Sequence, residues 1–167
     1  MKKLIFLLTL FFSIKSFAVD PSVTEIRTLY QDAAKHESSC KKLLSVLNSY
    51  TEKNNTLLAG YKAAATMMMA KYCFSPFSKI SYYNKGKNLL ERSIEADKYN
   101  IELRFLRFAV QTNIPFFLAY KGAINSDKSF LIKHYYNIED SQLKHWLVSF
   151  LKTSENLTAA EKQSLKE

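Results

Sequence analysis

Three charged residues break an otherwise apolar stretch between Ile101 and Val110: Glu102, Arg104 and Arg107. Arg104 and Arg107 stand three apart, so they share a face if the stretch is helical. A guanidinium pair on a greasy helix can clamp an acidic part of the same protein, here Glu102 or an acidic loop, to the helix end. It can also bind an anion from outside. The clamp is the leading reading and anion binding at Arg104 and Arg107 is the alternative.

Other chemistry-bearing residues point to less. Glu91 and Glu95 are one turn apart, the spacing of paired acid–base groups or di-metal ligands. Lys87 and Arg92 flank them, as on an ordinary ion-paired, solvated face. His36, His134 and His145 are scattered, with no His-x-x-x-His pair and no zinc-ligand spacing. No metal site and no cofactor site is expected. The chain has no Gly-x-Ser-x-Gly elbow, no glycine-rich phosphate loop and no Cys-x-x-Cys pair. Met67, Met68 and Met69 span about 200° of a helix and cannot all face one ligand, so they are expected to pack in the core. Nothing here assembles a nucleophile with a base, and the chain reads as a non-enzyme.

Cys40 and Cys73 can pair or remain thiols. If they lie on adjacent antiparallel helices turning near Lys53, Cys40 is 13 residues before the turn and Cys73 is 20 after it. The mismatch amounts to roughly 10 Å of axial offset at ~1.5 Å per residue. A disulfide spans Cα separations of only about 7 Å. Fraying beside Phe74-Ser75-Pro76 would have to close the gap.

The elements that must position these residues are helices. With 167 residues, 47% hydrophobic, and only three glycines and three prolines, the chain suits one compact domain and lacks the turns of a sandwich or barrel. Apolar residues recur at helical spacing over Ser22–Ala34, Ser38–Tyr50, Thr56–Cys73 and Ser78–Ala96. Ile101–Thr112 is apolar on more than one face, as in a helix buried between neighbours. Asn113-Ile114-Pro115 leads into Phe116 and Phe117, at a core cap or groove edge. Lys121–Ser126 reads as a surface loop, with Ser126 or Asp127 capping a helix through Tyr136. Asp140 or Ser141 caps the helix carrying Leu143, Trp146, Leu147, Phe150 and Leu151, and Leu157–Lys166 follows as a short terminal helix. About eight short helices give an all-α fold of antiparallel hairpins, as a stack or an irregular bundle.

The first eighteen residues read as an export leader: Lys2 and Lys3, an apolar run from Leu4 to Phe12, and Ser16-Phe17-Ala18 as the cleavage signal. The run is too short to span a bilayer, and no cysteine follows to carry a lipid. The expected mature chain is a single domain over 19–167, in the periplasm or secreted. Losing Lys2, Lys3 and Lys15 leaves 21 basic and 15 acidic residues, a formal charge of +6. That charge is spread thinly, without a block of like charges, so nucleic acid is not the expected partner. The leading reading is a solvated surface with a basic bias; a general attraction to anionic lipid or acidic polymers is the alternative.

Gly86-Lys87-Asn88-Leu89-Leu90-Glu91-Arg92-Ser93-Ile94-Glu95-Ala96-Asp97 places small, large and small residues at spacings of four and three. It resembles the second helix of a tetratricopeptide-type repeat, where small residues admit the partner helix closely. Lys98 stands where such repeats carry proline, and no second copy recurs near a 34-residue period. The region from Lys71 to Lys133 also resembles short exported bacterial helical proteins without an assigned activity. The residues carrying this are Ser75-Pro76-Phe77-Ser78-Lys79, Gly86, Glu102–Arg107, Asn113–Leu118 and Asp127-Lys128. The repeat resemblance implies hairpins presenting a concave face to a protein or peptide partner. The expected function is therefore an exported, non-enzymatic protein-binding or structural module. The alternative is a helical protein that binds a small apolar or anionic ligand between its helices.

Overall fold

The structure is a computed structural model that describes residues 20–165; the expected leader, 1–18, lies outside the described residues. It is all-α. Eight α-helices are described: α1 (Val23–Ala33), α2 (Glu37–Val46), α3 (Thr56–Tyr72), α4 (Pro76–Ala96), α5 (Ile101–Asn113), α6 (Ile124–His134), α7 (Ser141–Thr153) and α8 (Ala159–Ser164). Single 3₁₀ turns lie at Phe116–Leu118 and Tyr135–Asn137. None of the described helices is long and apolar enough to cross a membrane.

Local chemistry sets most boundaries. Ser22 and Glu25 close a capping box at the start of α1, as Thr158 and Glu161 do for α8. The side chains of Asn55, Asn100 and Asp140 accept from backbone N–H groups at the starts of α3, α5 and α7. Pro76 takes the first position of α4, where its missing N–H costs nothing. The start of α6 corrects the sequence reading. Its N-cap is Ala123, without a side-chain cap, so part of the expected loop is helical and Asp127 lies inside the first turns. Asp127 is withheld from capping because its carboxylate is fully buried and held by arginines.

α3 and α4 pack closely and run in opposite directions. A Cβ added to Gly86 would stand 2.5 Å from the carbonyl oxygen of Ala63 and from Met67 Cγ, while Arg92 further along α4 reaches Glu52 ahead of α3. The small residue at position 86 is thus what brings the two backbones together.

α5 lies between two apolar cores, which explains its two-sided apolar pattern. Leu103, Leu106 and Val110 join a core built with Ile26, Leu43, Leu58, Tyr61 and Leu90 from α1 to α4. Phe105 and Phe108 join a second core with Leu131, Leu143, Leu147 and Leu151, closed by Leu157 and Leu165. Trp146 packs against both, its ring 4.7 Å from Phe105 and 6.0 Å from Tyr30. α7 therefore meets α1, drawing early and late parts of the chain together.

Candidate functional site

The charges on α5 sit in two clusters. In the first, Glu102 reaches α1. Arg27 Nε and Nη2 donate to its two oxygens at 2.7 and 2.8 Å, and the Tyr61 hydroxyl donates to Oε1. The remaining arm of Arg27, Nη1, donates to Asp140 at 2.7 Å and to Gln142 at 3.1 Å. One guanidinium thus joins α1, α5 and the start of α7. The bonds to Glu102 and Asp140 hold Arg27 above its usual range against the opposing effect of burial. Asp140 is held below the usual carboxylate range by the Leu143 backbone N–H that it caps and by Arg27. Burial, reinforced by the adjacent Glu102, pushes the Tyr61 phenol well up.

In the second cluster, Arg104 and Arg107 do share a face, and both turn to Asp127. Arg107 Nε and Nη2 donate to Asp127 at 2.7 and 2.8 Å, Arg104 Nε donates to Oδ1, and Arg107 Nη1 donates to Glu91 at 2.7 Å. The Tyr120 hydroxyl donates to the other oxygen of Glu91, and Lys87 stands 4.9 Å over the Tyr120 ring. Burial opposes the charge on Arg107, yet its bond to Asp127 and the fields of Asp127 and Glu91 keep the pKa raised. The arginines therefore tie α5 to α6 and α4, whereas Glu102, the other partner considered, is held by Arg27. Glu91 belongs to this cluster rather than to a solvated face; Glu95, by contrast, pairs with Lys98 at 2.7 Å and is exposed.

Compared with known protein families, curated proteins and solved structures, the chain matches none. What it can do must come from its own geometry.

Both clusters are built to hold helices. Each guanidinium is met by carboxylates of the protein itself, in paired, directional geometry. No group of three His, Cys, Asp or Glu among the described residues is arranged to hold a metal ion. His36 pairs with Asp32 at 2.9 Å, the His134 ring lies 4.5 Å from Phe130, and His145 is exposed. Cys40 and Cys73 are separate thiols. Cys40 Sγ points at the carbonyl of Ala65, 3.5 Å away. Cys73 lies eight residues further along, roughly 12 Å at 1.5 Å per residue. Burial pushes the Cys40 thiol up to about 11, which disfavours the reactive thiolate. Met67 and Met69 are buried and Met68 is half-buried, as core packing requires.

The surface holds what the sequence reading missed. Where α3 gives way to α4, Phe74 is fully exposed, Phe77 is 86% exposed and Ile80 is 53% exposed. Phe117 is 81% exposed on the loop whose next residue, Leu118, accepts from the Tyr83 hydroxyl of α4. Beside Phe77, a hollow of about 380 Å³ is lined by Ser78, Ser81, Tyr82 and Lys85.

Proposed function

We propose that this chain is an exported, non-enzymatic helical module that works by docking on a partner through the α3–α4 corner. The observation that carries the reading is the outward-facing pair Phe74 and Phe77, joined by Ile80 one turn on. Solvent-facing aromatic clusters of this kind mark interaction sites rather than packing. The internal charge clusters support the same reading, because their groups are spent on one another and serve a rigid scaffold. Consecutive contacting pairs, α1 with α2, α3 with α4 and α5 with α6, support the hairpin architecture that the repeat resemblance implies. The leader expected from the sequence of residues 1–18 favours a place outside the cytoplasm.

Native size-exclusion of a gentle cell extract, run alongside its membrane fraction, tests the reading. The wild-type chain should elute ahead of its monomer position or travel with membranes, and F74S/F77S should return to the monomer position. Identical behaviour of the two chains would remove the corner as the docking site.

A second reading, a small ligand held between helices, draws on a hollow of about 330 Å³ near Tyr99, Ile101, Phe130, His134 and Ile138. A ligand retained through purification of wild type and lost from I101S would favour it.

A further inference from the structure

We propose that the partner at the α3–α4 corner is an anionic lipid surface, with Phe74, Phe77 and Ile80 entering the headgroup region and Lys79 and Lys85 meeting lipid phosphates. The inference rests on the docking role given to this corner above.

Shape argues first. Phe74 is fully exposed at the break between two helices, a projection rather than the floor of a groove. A projecting phenyl ring gains most by entering a medium that deforms around it, and the headgroup–acyl boundary does so.

Charge argues next. Between Glu52 and Glu91 the sequence holds no Asp or Glu, yet it holds Lys53, Lys62, Lys71, Lys79, Lys85 and Lys87. Lys79 and Lys85 are exposed and have no acidic partner among the described residues. Asp32 and Glu37, the acids whose field reaches Tyr72, are already engaged: Asp32 with His36 and Ser39, Glu37 with Lys41. The corner therefore shows apolar tips flanked by uncompensated ammonium groups, the pairing of forces that holds peripheral proteins on anionic bilayers.

The hollow beside Phe77 supplies the third element. The hydroxyls of Ser78, Ser81 and Tyr82 make no hydrogen bond among the described residues, and with the Lys85 ammonium they converge on one side of α4. Three hydroxyl donors and a cation suit the oxygens of a phosphate ester lying at the depth where Phe77 enters.

Vesicle co-sedimentation tests this with the chain from Val19 onward, which keeps every described residue of the two cores, Ile26 to Leu165. Vesicles of equal parts phosphatidylglycerol and phosphatidylcholine should carry the protein down, pure phosphatidylcholine should carry far less, and added salt should release it. F74S/F77S and K79E/K85E should each lower binding roughly tenfold or more, with unchanged helical circular dichroism. The altered side chains are solvent-facing, so folding is not at stake. Absence of binding to the anionic vesicles overturns the inference, as does equal binding to both vesicle types or indifference to the substitutions. A dimer at sedimentation equilibrium that F74S/F77S dissociates also overturns it, in favour of a second copy on the corner. If vesicles fail while the extract assembly still depends on Phe74 and Phe77, the lipid assignment falls and the docking role stands. If both fail, the docking role falls too.

Discussion

Arg27 and Glu102 meet through two parallel hydrogen bonds of 2.7 and 2.8 Å across 75 residues of chain, with side chains only 4% and 5% exposed. Taking both charges out of water is costly, and each is tolerated because the other is there. E102A should therefore cost about 3–5 kcal/mol, because it leaves two edges of the buried guanidinium unpaired, with only Nη1 still held by Asp140 and Gln142. The double variant R27L/E102L should lose much less than the sum of the single changes, since neither charge remains to be stranded. Urea denaturation of wild type, R27L, E102L and R27L/E102L reads the coupling directly. Additive losses would show that the two side chains do not depend on each other.

That pairing also marks where the sequence stops being readable. The starts of α1, α3, α5 and α7 were legible to within a residue, because caps and polar turns act locally, whereas α4 was expected from Ser78 and begins two residues earlier, at Pro76. The offset between Cys40 and Cys73 was legible from helix rise alone. Arg27 was not, since its partner is 75 residues away and nothing local names it. The one local hint was its place between Ile26 and Tyr30, on the buried side of α1. Asp127 misled for the opposite reason: an acid near a helix start looks like a cap, and only α5 packed beside it gives the carboxylate another use. Phe74 and Phe77 were equally opaque, because apolarity does not state whether a neighbour covers it.

Asp127 should prove the costliest residue of its cluster. Its carboxylate is fully buried and takes bonds from both Arg104 and Arg107. D127N leaves two guanidinium groups facing a neutral amide and should cost about 3–5 kcal/mol. R104A should cost only about 1 kcal/mol, because Arg107 still answers Asp127 and Arg104 is partly solvated over the Phe130 ring. R107A should fall between them. Equal losses from R104A and D127N in thermal or urea unfolding would contradict this ordering.

Gly86 and Gly60 should respond differently to alanine. At Gly86 the new methyl meets the backbone carbonyl of Ala63 at 2.5 Å and the Met67 backbone nitrogen at 2.8 Å, neither of which can yield without parting α3 from α4. G86A should cost about 2–3 kcal/mol despite alanine's better helix propensity. At Gly60 the nearest obstacle is the tip of the Leu103 side chain, which can change rotamer. The propensity gain of about 1 kcal/mol should then offset much of the clash. A G60A chain that unfolds as readily as G86A would show that Leu103 is as fixed as backbone.

Of the four buried phenols among the described residues, Tyr30, Tyr61 and Tyr120 are shifted furthest, and alkali should unfold the protein through them. Burial is the main cause raising Tyr30, Tyr61 and Tyr120 above the ordinary value of 10, with Glu102 and Glu91 adding to it at the last two. A group whose folded pKa is raised contributes its full stability below its unfolded pKa and loses it as pH climbs above that value. The unfolded chain there holds fewer protons than the native one. Each phenol should thus remove up to about 1.4 kcal/mol of stability per pH unit above 10. Tyrosinate absorbance from these three rings should rise only as the far-ultraviolet circular dichroism falls. Y61F should cost about 1 kcal/mol at neutral pH, through the lost bond to Glu102, and should make the alkaline loss less steep. Ionisation of the three rings with helicity intact would mean that water reaches them in the folded state, and that α5 is less tightly enclosed than its two cores imply.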